Sequence, residues 1–251
     1  MSAIWKNKSH DSDSVWLEIH LGKLKKNLAF IQSKLKTGTG VLAIVKANAY
    51  GHGLLECALA IEKEVDYMGV SNLDEAVRLR RAGVKKPILI FGFLNPKDIP
   101  TLIKHDLTLS LSDTEHAEML DELVRSEGAA KKLKIHLKID TGMSRLGFGH
   151  RFAANEILKV SKLKHLNLEG IFTHLAVSEK KNDAFNLKQI NRFEILLGQL
   201  KEEGIEFKWR HAANSGGIFN FESSHFNLVR PGISLYGLFD ERNTEIKLMP
   251  I

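Results

Sequence analysis

The chain has 251 residues, with 36 Lys+Arg against 30 Asp+Glu (formal charge +6), 43% hydrophobic and 26% charged. That composition excludes a disordered chain, a coiled coil and a collagen-like repeat, and the length matches the roughly 250 residues of a (β/α)8 barrel. A single cysteine, Cys57, excludes an internal disulfide and a CxxC metal site, and fits a reducing, cytoplasmic compartment.

The apolar runs are too short to span a bilayer, and the opening MSAIWKNKSHDSDSVW has no signal-peptide core. No membrane partner is expected. The lysines sit mostly along helical segments and read as solvated faces, although a basic balance also attracts a small anionic ligand. There is no aromatic-interleaved basic patch of the kind that binds nucleic acid.

Residues 1–14 read as a flexible extension, and VWLEIHL (15–21) as a strand ahead of the first helix. Eight short apolar, β-branched runs follow: VLAIV (41–45), DYMGVS (66–71), PILIFGF (87–93), LTLSLS (107–112), LKIHLKID (133–140), LNLEGIFTH (166–174), FKWRHAA (207–213) and FNLVRPG (226–232). Between them lie segments of helical period, such as 54–64, 73–83, 113–128 and 186–204, with apolar positions recurring at three- and four-residue spacing. Gly83, Gly128 and Gly204 suit helix C-termini, and Asp113 and Asn182 suit N-caps. Eight strands alternating with helices predict a parallel sheet, and at this length a closed (β/α)8 TIM-type barrel over 22–240. Residues 241–251 read as the start of a truncated C-terminal β-domain, EIKLMPI being a strand with nothing to pair with.

In such a barrel the chemistry lies at the C-terminal ends of the strands. Five predicted strands end in reactive side chains. The first gives Lys46 and then Tyr50. The fifth gives Lys138 and Asp140, followed by Arg145. The sixth gives Thr173 and His174. The seventh leads through His211 into Asn214-Ser215-Gly216-Gly217, and the eighth ends in Arg230 before Pro231-Gly232-Ile233.

A half-buried strand-end lysine loses proton affinity, and its free amine forms a Schiff base or moves a proton. Loops after the seventh and eighth strands often bind phosphate. A Schiff-base lysine beside such loops points to an aldehyde cofactor carrying a phosphate, pyridoxal 5′-phosphate (PLP). Arg230 either pairs with a carboxylate or donates to the pyridine nitrogen, which would then stay unprotonated. His174 is either packed on the cofactor ring or an ordinary core histidine. Arg145 can position a substrate carboxylate.

KANAYGHG (46–53), KIDTGMSRLGF (138–148), FTH (172–174), HAANSGG (211–217) and VRPGISLYG (229–237) resemble the PLP-dependent alanine racemase family, as does the opening VWLEIHLGKLKKNL. The resemblance covers roughly residues 15–251. It implies that Lys46 carries the cofactor and is the base on the D-alanine side. It implies Tyr50, Ser215, Gly232 and Ile233 at the phosphate with Asn214 beside them, Arg230 at the ring nitrogen, His174 beside the ring and Arg145 near the substrate. Lys138 matches a position that is often a carbamylated lysine bridging to that arginine. No metal is implied.

The implied activity is interconversion of L- and D-alanine, supplying D-alanine for peptidoglycan, in a full-length homodimer. Two departures stand out. His20 replaces a usual Asp. The family's second base is a tyrosine of a C-terminal β-domain acting across the dimer, and Tyr50, Tyr67 and Tyr236 match no such motif. A single-barrel PLP carrier without catalysis is the alternative reading. A PLP decarboxylase fits poorly, since it benefits from a carboxylate at the ring nitrogen where this chain has Arg230.

Overall fold

The structure, a computed structural model, describes residues 16–181, 183–239 and 246–251. All eight predicted runs form strands: β1 Gly40–Ile44, β2 Tyr67–Val70, β3 Ile88–Ile90, β4 Thr108–Leu111, β5 Leu133–Asp140, β6 Leu166–Phe172, β7 Trp209–His211 and β8 Leu228–Val229. Each pairs in parallel with its neighbour, and β1 pairs with both β2 and β8. Between β7 and β8 the ring is bridged by Asn227 N–H to Arg210 O (3.2 Å) and Arg230 N–H to Ala213 O (2.9 Å). A nearly closed (β/α)8 barrel results. The two-residue strand Phe148–Gly149 pairs with the end of β5.

The helices bury the stripe their spacing dictates. Leu73–Arg81 starts at Asn72, whose side chain accepts the Glu75 N–H, and buries Ala76 and Leu79. Thr114–Ser126 is capped by Asp113, which accepts the His116 N–H at 2.7 Å, and buries Ala117, Leu120 and Val124. In Ala184–Glu202 the buried stripe is Ile190, Phe193, Leu196 and Leu200. Its cap is Asp183, which accepts the Phe185 N–H. The expected cap, Asn182, lies outside the described residues. Gly83, Gly128 and Gly204 all take the positive φ that ends a helix.

The ends of the chain depart from expectation. Residues 1–14 and Val15 lie outside the described residues. Residues 16–20 form no strand, and Leu21 already opens the helix Leu21–Gln32, because no sheet edge is offered to them among the described residues. Residues 246–251 form no strand either. They are held against that helix by the buried Asn27, whose Oδ1 accepts the Met249 N–H (2.8 Å) and whose Nδ2 donates to Met249 O (2.8 Å) and Leu235 O (3.0 Å). Residues 240–245 lie outside the described residues.

The barrel interior is divided. On one side Leu42, Ile44, Tyr67, Leu89 and Leu228 pack with Phe91 and Trp209. On the other, His136, Glu169 and His211 make a polar column along the axis. Gly170 leaves room for it, since a Cβ there would meet the His136 ring at 2.7 Å.

Candidate active site

Lys46 follows β1, whose end is fixed on both sides by Ile44 N–H to Pro231 O (3.0 Å) and Val45 N–H to Gly69 O (2.9 Å). The chain then turns left-handed for four consecutive non-glycine residues, Ala47, Asn48, Ala49 and Tyr50, all with φ of 53–54°. Such a conformation costs about 1–2 kcal/mol per residue, so the surroundings must enforce it. It places Lys46 and Tyr50 on the wall of one cavity of about 1080 Å3 at the C-terminal mouth of the barrel.

The same cavity is lined by Lys138, Arg145, His174, Asn214, Ser215, Arg230, Gly232 and Ile233. Ten of the residues singled out in the sequence therefore meet, whereas Asp140, Thr173 and His211 do not line the cavity. Asp140 at the end of β5 organises the loop that brings Arg145: its Oδ1 accepts the N–H of Gly142 (2.9 Å) and of Ser144 (3.0 Å). Gly147 lets that loop cross β5, since a Cβ there would lie 2.7 Å from Asp140 N. His174 follows β6. Gln189 clamps its segment by donating to His174 O (3.1 Å) and accepting the Ala176 N–H (2.9 Å). Asn214 Nδ2 stands 3.3 Å from His174 Nε2.

The loops after β7 and β8 are joined by one hydroxyl. Ser215 Oγ accepts the N–H of Gly232 (3.0 Å) and of Ser234 (3.2 Å) and the Ser234 hydroxyl (3.0 Å). Gly232 approaches Tyr50 so closely that a Cβ would sit 3.1 Å from the phenol oxygen. Two hydroxyls and a glycine-opened backbone thus converge, a donor set suited to a phosphate.

Arg230 is 3% exposed. Its Nη2 donates to Thr173 O (2.7 Å) and Ala212 O (3.0 Å), and its Nη1 to His211 Nδ1 (2.8 Å). Guanidinium only donates. His211 Nδ1 must therefore accept, which puts the His211 proton on Nε2, facing His136 Nδ1 at 2.9 Å. The His136 proton then lies on Nε2, 3.6 Å from Glu169 Oε2. Glu169 accepts its hydrogen bond from Tyr67 at 2.8 Å, and at His136 it offers charge rather than a bond. The column has one direction, from a buried cation to a carboxylate at the floor. Among the described residues Arg230 gives its Nε–H to no acceptor, so this donor remains for a ligand.

The electrostatics follow from burial in a basic mouth. Burial, then Arg145, lowers the proton affinity of Lys46. Lys138 is brought down to about 8 by burial, Arg145 and Arg230. His174 is brought to about 3 by burial and by Arg230, Arg145 and both lysines, so it is neutral. Arg230 is lowered by burial to about 9, still a cation at neutral pH. Two amines poised to lose protons beside fixed cations make a site for proton transfer and for an anionic ligand.

The sequence reading missed three features: the left-handed turn, the carboxylate of Glu75 beneath it, and the floor of the column. The last had a signal. In LKIHLKID the polar Lys134, His136, Lys138 and Asp140 alternate with apolar residues, which places them on one strand face. The other two had little, since of Ala-Asn-Ala-Tyr only Asn48 favours positive φ, and Glu75 is distant from it in sequence.

The chain resembles known proteins over most of its length. The sequence profile of the alanine racemase N-terminal domain matches residues 19–240. The chain is 41% identical over 235 residues to the alanine racemase of Carboxydothermus hydrogenoformans, covering 93% of this chain and 63% of that one. It is 38% identical over 230 residues to that of Methanococcus maripaludis, covering 91% and 61%. The solved alanine racemase of Clostridium difficile 630 in complex with cycloserine superposes with a TM-score of 0.91 at 33% identity, covering 96% of this chain and 67% of that one. The chain thus spans less than two thirds of the length of these two relatives.

Proposed function

Because the chain belongs to the alanine racemase family, we propose that it is the cofactor-binding barrel of an enzyme that interconverts L- and D-alanine with PLP. The observation that carries this reading is the meeting, in one mouth, of the Lys46 amine, the free Nε–H of Arg230 and the Ser215–Gly232–Tyr50 cluster. These residues fit the three ends of PLP: amine for aldehyde, donor for ring nitrogen, hydroxyls for phosphate.

When bound, PLP supplies an electron sink that acidifies the Cα–H of an amino acid. The chain's residues do the rest. Lys46 would hold the cofactor through its amine, and that amine, lowered in proton affinity by burial and Arg145, is placed to take or return a Cα proton on its own face. Tyr50, Ser215, Gly232 and Ile233 hold the phosphate. Arg230 would offer its Nε–H to the ring nitrogen, and as a guanidinium that stays charged at neutral pH it would leave that nitrogen unprotonated. Neutral His174, steadied by Asn214, packs beside the ring. Arg145 would orient the substrate carboxylate, and Lys138, its amine brought to about 8, would be the lysine that adds CO2 to become a carbamate beside that arginine.

Racemisation also needs a group on the opposite face. Tyr67 is hydrogen-bonded to Thr108 and Glu169 at the floor, and Tyr236 donates to Ile44 O while buried. Neither hydroxyl reaches the mouth. We propose that the second base is a tyrosine of a C-terminal β-domain, with 241–251 at its start, offered across a homodimer in the cytoplasm, where D-alanine is supplied for peptidoglycan. No helix among the described residues is long and apolar enough to cross a membrane.

The test is incubation of the chain with PLP, reduction with borohydride and mass spectrometry. A pyridoxyl group on Lys46, lost in Lys46→Ala, is expected. Label on another lysine would refute the assignment. In an L- to D-alanine assay the 251 residues alone should be slower, by about 10²-fold or more, than a chain that also carries the second base.

A further inference from the structure

Glu75 lies outside every motif that suggested the function, yet its carboxylate sits directly beneath the residue that carries the chemistry. It is 6% exposed and belongs to the first turn of the helix Leu73–Arg81. Its Oε1 accepts the N–H of Asn48 at 3.0 Å. Its Oε2 accepts both the N–H (2.9 Å) and the hydroxyl (2.7 Å) of Ser71, at the end of β2. Burial alone would raise its proton affinity, but these donors, with the Ala47 N–H, outweigh burial and keep it ionised.

Asn48 is the centre of the left-handed turn. Its carbonyl accepts the N–H of Gly51 and of Gly53, and its Oδ1 accepts that of Leu54. Four consecutive non-glycine residues at positive φ do not hold themselves. The N–H groups that open this turn have no partner in a right-handed helix, and the carboxylate receives them instead. We propose that Glu75 is a positioning residue, its carboxylate tying Asn48 to Ser71 and so holding the left-handed turn that brings Lys46 and Tyr50 into one mouth. This rests on the reading that Lys46 carries PLP. It adds that the attack geometry of the amine is set from the neighbouring βα unit.

Two probes separate this claim from the reading beneath it. One is PLP at limiting concentration, fixed by borohydride. The other is trace acetic anhydride, which needs no cofactor and reports the pH at which each lysine amine becomes free. Both are read at Lys46 by mass spectrometry on the full chain. Glu75→Ala should cut PLP fixed at Lys46 about tenfold and move Lys46 acetylation toward the profile of exposed lysines, with far-UV circular dichroism unchanged. Adding Ala47→Gly should restore most of the labelling, because glycine takes positive φ freely and the Ala47 side chain is exposed.

Glu75→Gln guards against loss of the fold. It keeps the length and one acceptor but removes the charge facing Lys46, so acetylation should start at lower pH while Arg145 and Arg230 stay in place. Parent-like labelling in Glu75→Ala, a loss that Ala47→Gly does not repair, or a folded Glu75→Gln chain whose Lys46 titrates as in the parent would each overturn the proposal. If the parent fixes PLP on other lysines, the cofactor reading falls, and the acetylation profiles alone decide the role of Glu75.

Discussion

Arg230 Nη1 donates to His211 Nδ1 at 2.8 Å, deep inside the barrel. That bond fixes both the orientation of the guanidinium and the tautomer of the imidazole. With Thr173 O and Ala212 O it holds the guanidinium so that Nε–H is left over. Replacing His211 with Leu strands an Arg230 N–H and leaves His136 Nδ1 without a donor. Each unsatisfied buried group costs about 1–3 kcal/mol. The melting temperature should fall by about 5–15 °C, given about 2–4 °C per kcal/mol for a chain of this size. His211→Gln, which keeps an acceptor and a donor, should lose less than half as much. Equal losses in thermal melts would show that packing, not the hydrogen bond, is what His211 provides.

The same buried imidazoles predict acid sensitivity. His136, His174 and His211 all titrate below the ordinary 6.5. Burial is the first cause in each, opposed at His136 by Glu169 and reinforced at the other two by Arg230. Below 6.5 the unfolded chain therefore binds protons that the folded chain does not. The histidine contribution to stability is full above about 6.5 and falls as pH drops, by up to about 1.4 kcal/mol per pH unit for each histidine, continuing for His174 toward about 3. The carboxylates Glu75 and Glu169, held below their ordinary 4.5, act with the same sign at lower pH. Urea midpoints should decline from pH 6.5 to 5, below the range in which Lys138 titrates. A level profile down to pH 5 would contradict the neutral, buried state of these rings.

Asn27, in the helix Leu21–Gln32, makes a separable prediction. Its amide holds Met249 through both backbone groups and Leu235 through its carbonyl. Asn27→Ala removes three bonds at a fully buried position, at a cost of about 2–4 kcal/mol. Amide hydrogen exchange at 246–251 should rise at least tenfold while β1–β8 keep their protection. Unchanged exchange in that segment would mean that the apolar contacts of Leu248 and Ile251 hold it without the amide.

The barrel was legible because its signals are local and repeated. Each strand is a short apolar run, the long helices carry an apolar stripe, and three of them end at Gly83, Gly128 and Gly204. The site was legible because reactive residues stand one or two positions past those runs, as Lys46 does after VLAIV. What was not legible depends on partners distant in sequence. The positive φ of Ala47 is enforced by Glu75, and the tautomer of His136 is dictated by Arg230 through His211. Residues 15–21 and 245–251 alternate like strands, yet pleating needs an edge to pair with. In this barrel the 246–251 backbone finds a side-chain amide instead.

The cluster at Gly232 yields the sharpest prediction about the ligand. A Cβ at Gly232 would stand 3.1 Å from the Tyr50 phenol oxygen and 3.8 Å from Ile44 Cβ. That is tight rather than impossible, so Gly232→Ala should fold, with Tyr50 pushed a few tenths of an ångström from Ser215. Its φ is −114°, so the position does not call on the left-handed freedom of glycine. The damage is confined to the place where the Tyr50 hydroxyl stands beside Gly232 and the Ser215 hydroxyl accepts the Gly232 N–H. If that place binds the phosphate of PLP, the variant should lose about tenfold in PLP fixed at Lys46, since one or two charge-assisted hydrogen bonds are weakened at about 1.5–3 kcal/mol each when lost outright. Pyridoxal, which has the aldehyde and ring but no phosphate, should label parent and variant alike. The ratio of the two labels isolates the phosphate contribution from any general effect on Lys46. An equal loss for both would move the phosphate away from Gly232 and leave the Ser215 stitch a purely structural clasp between the last two strands.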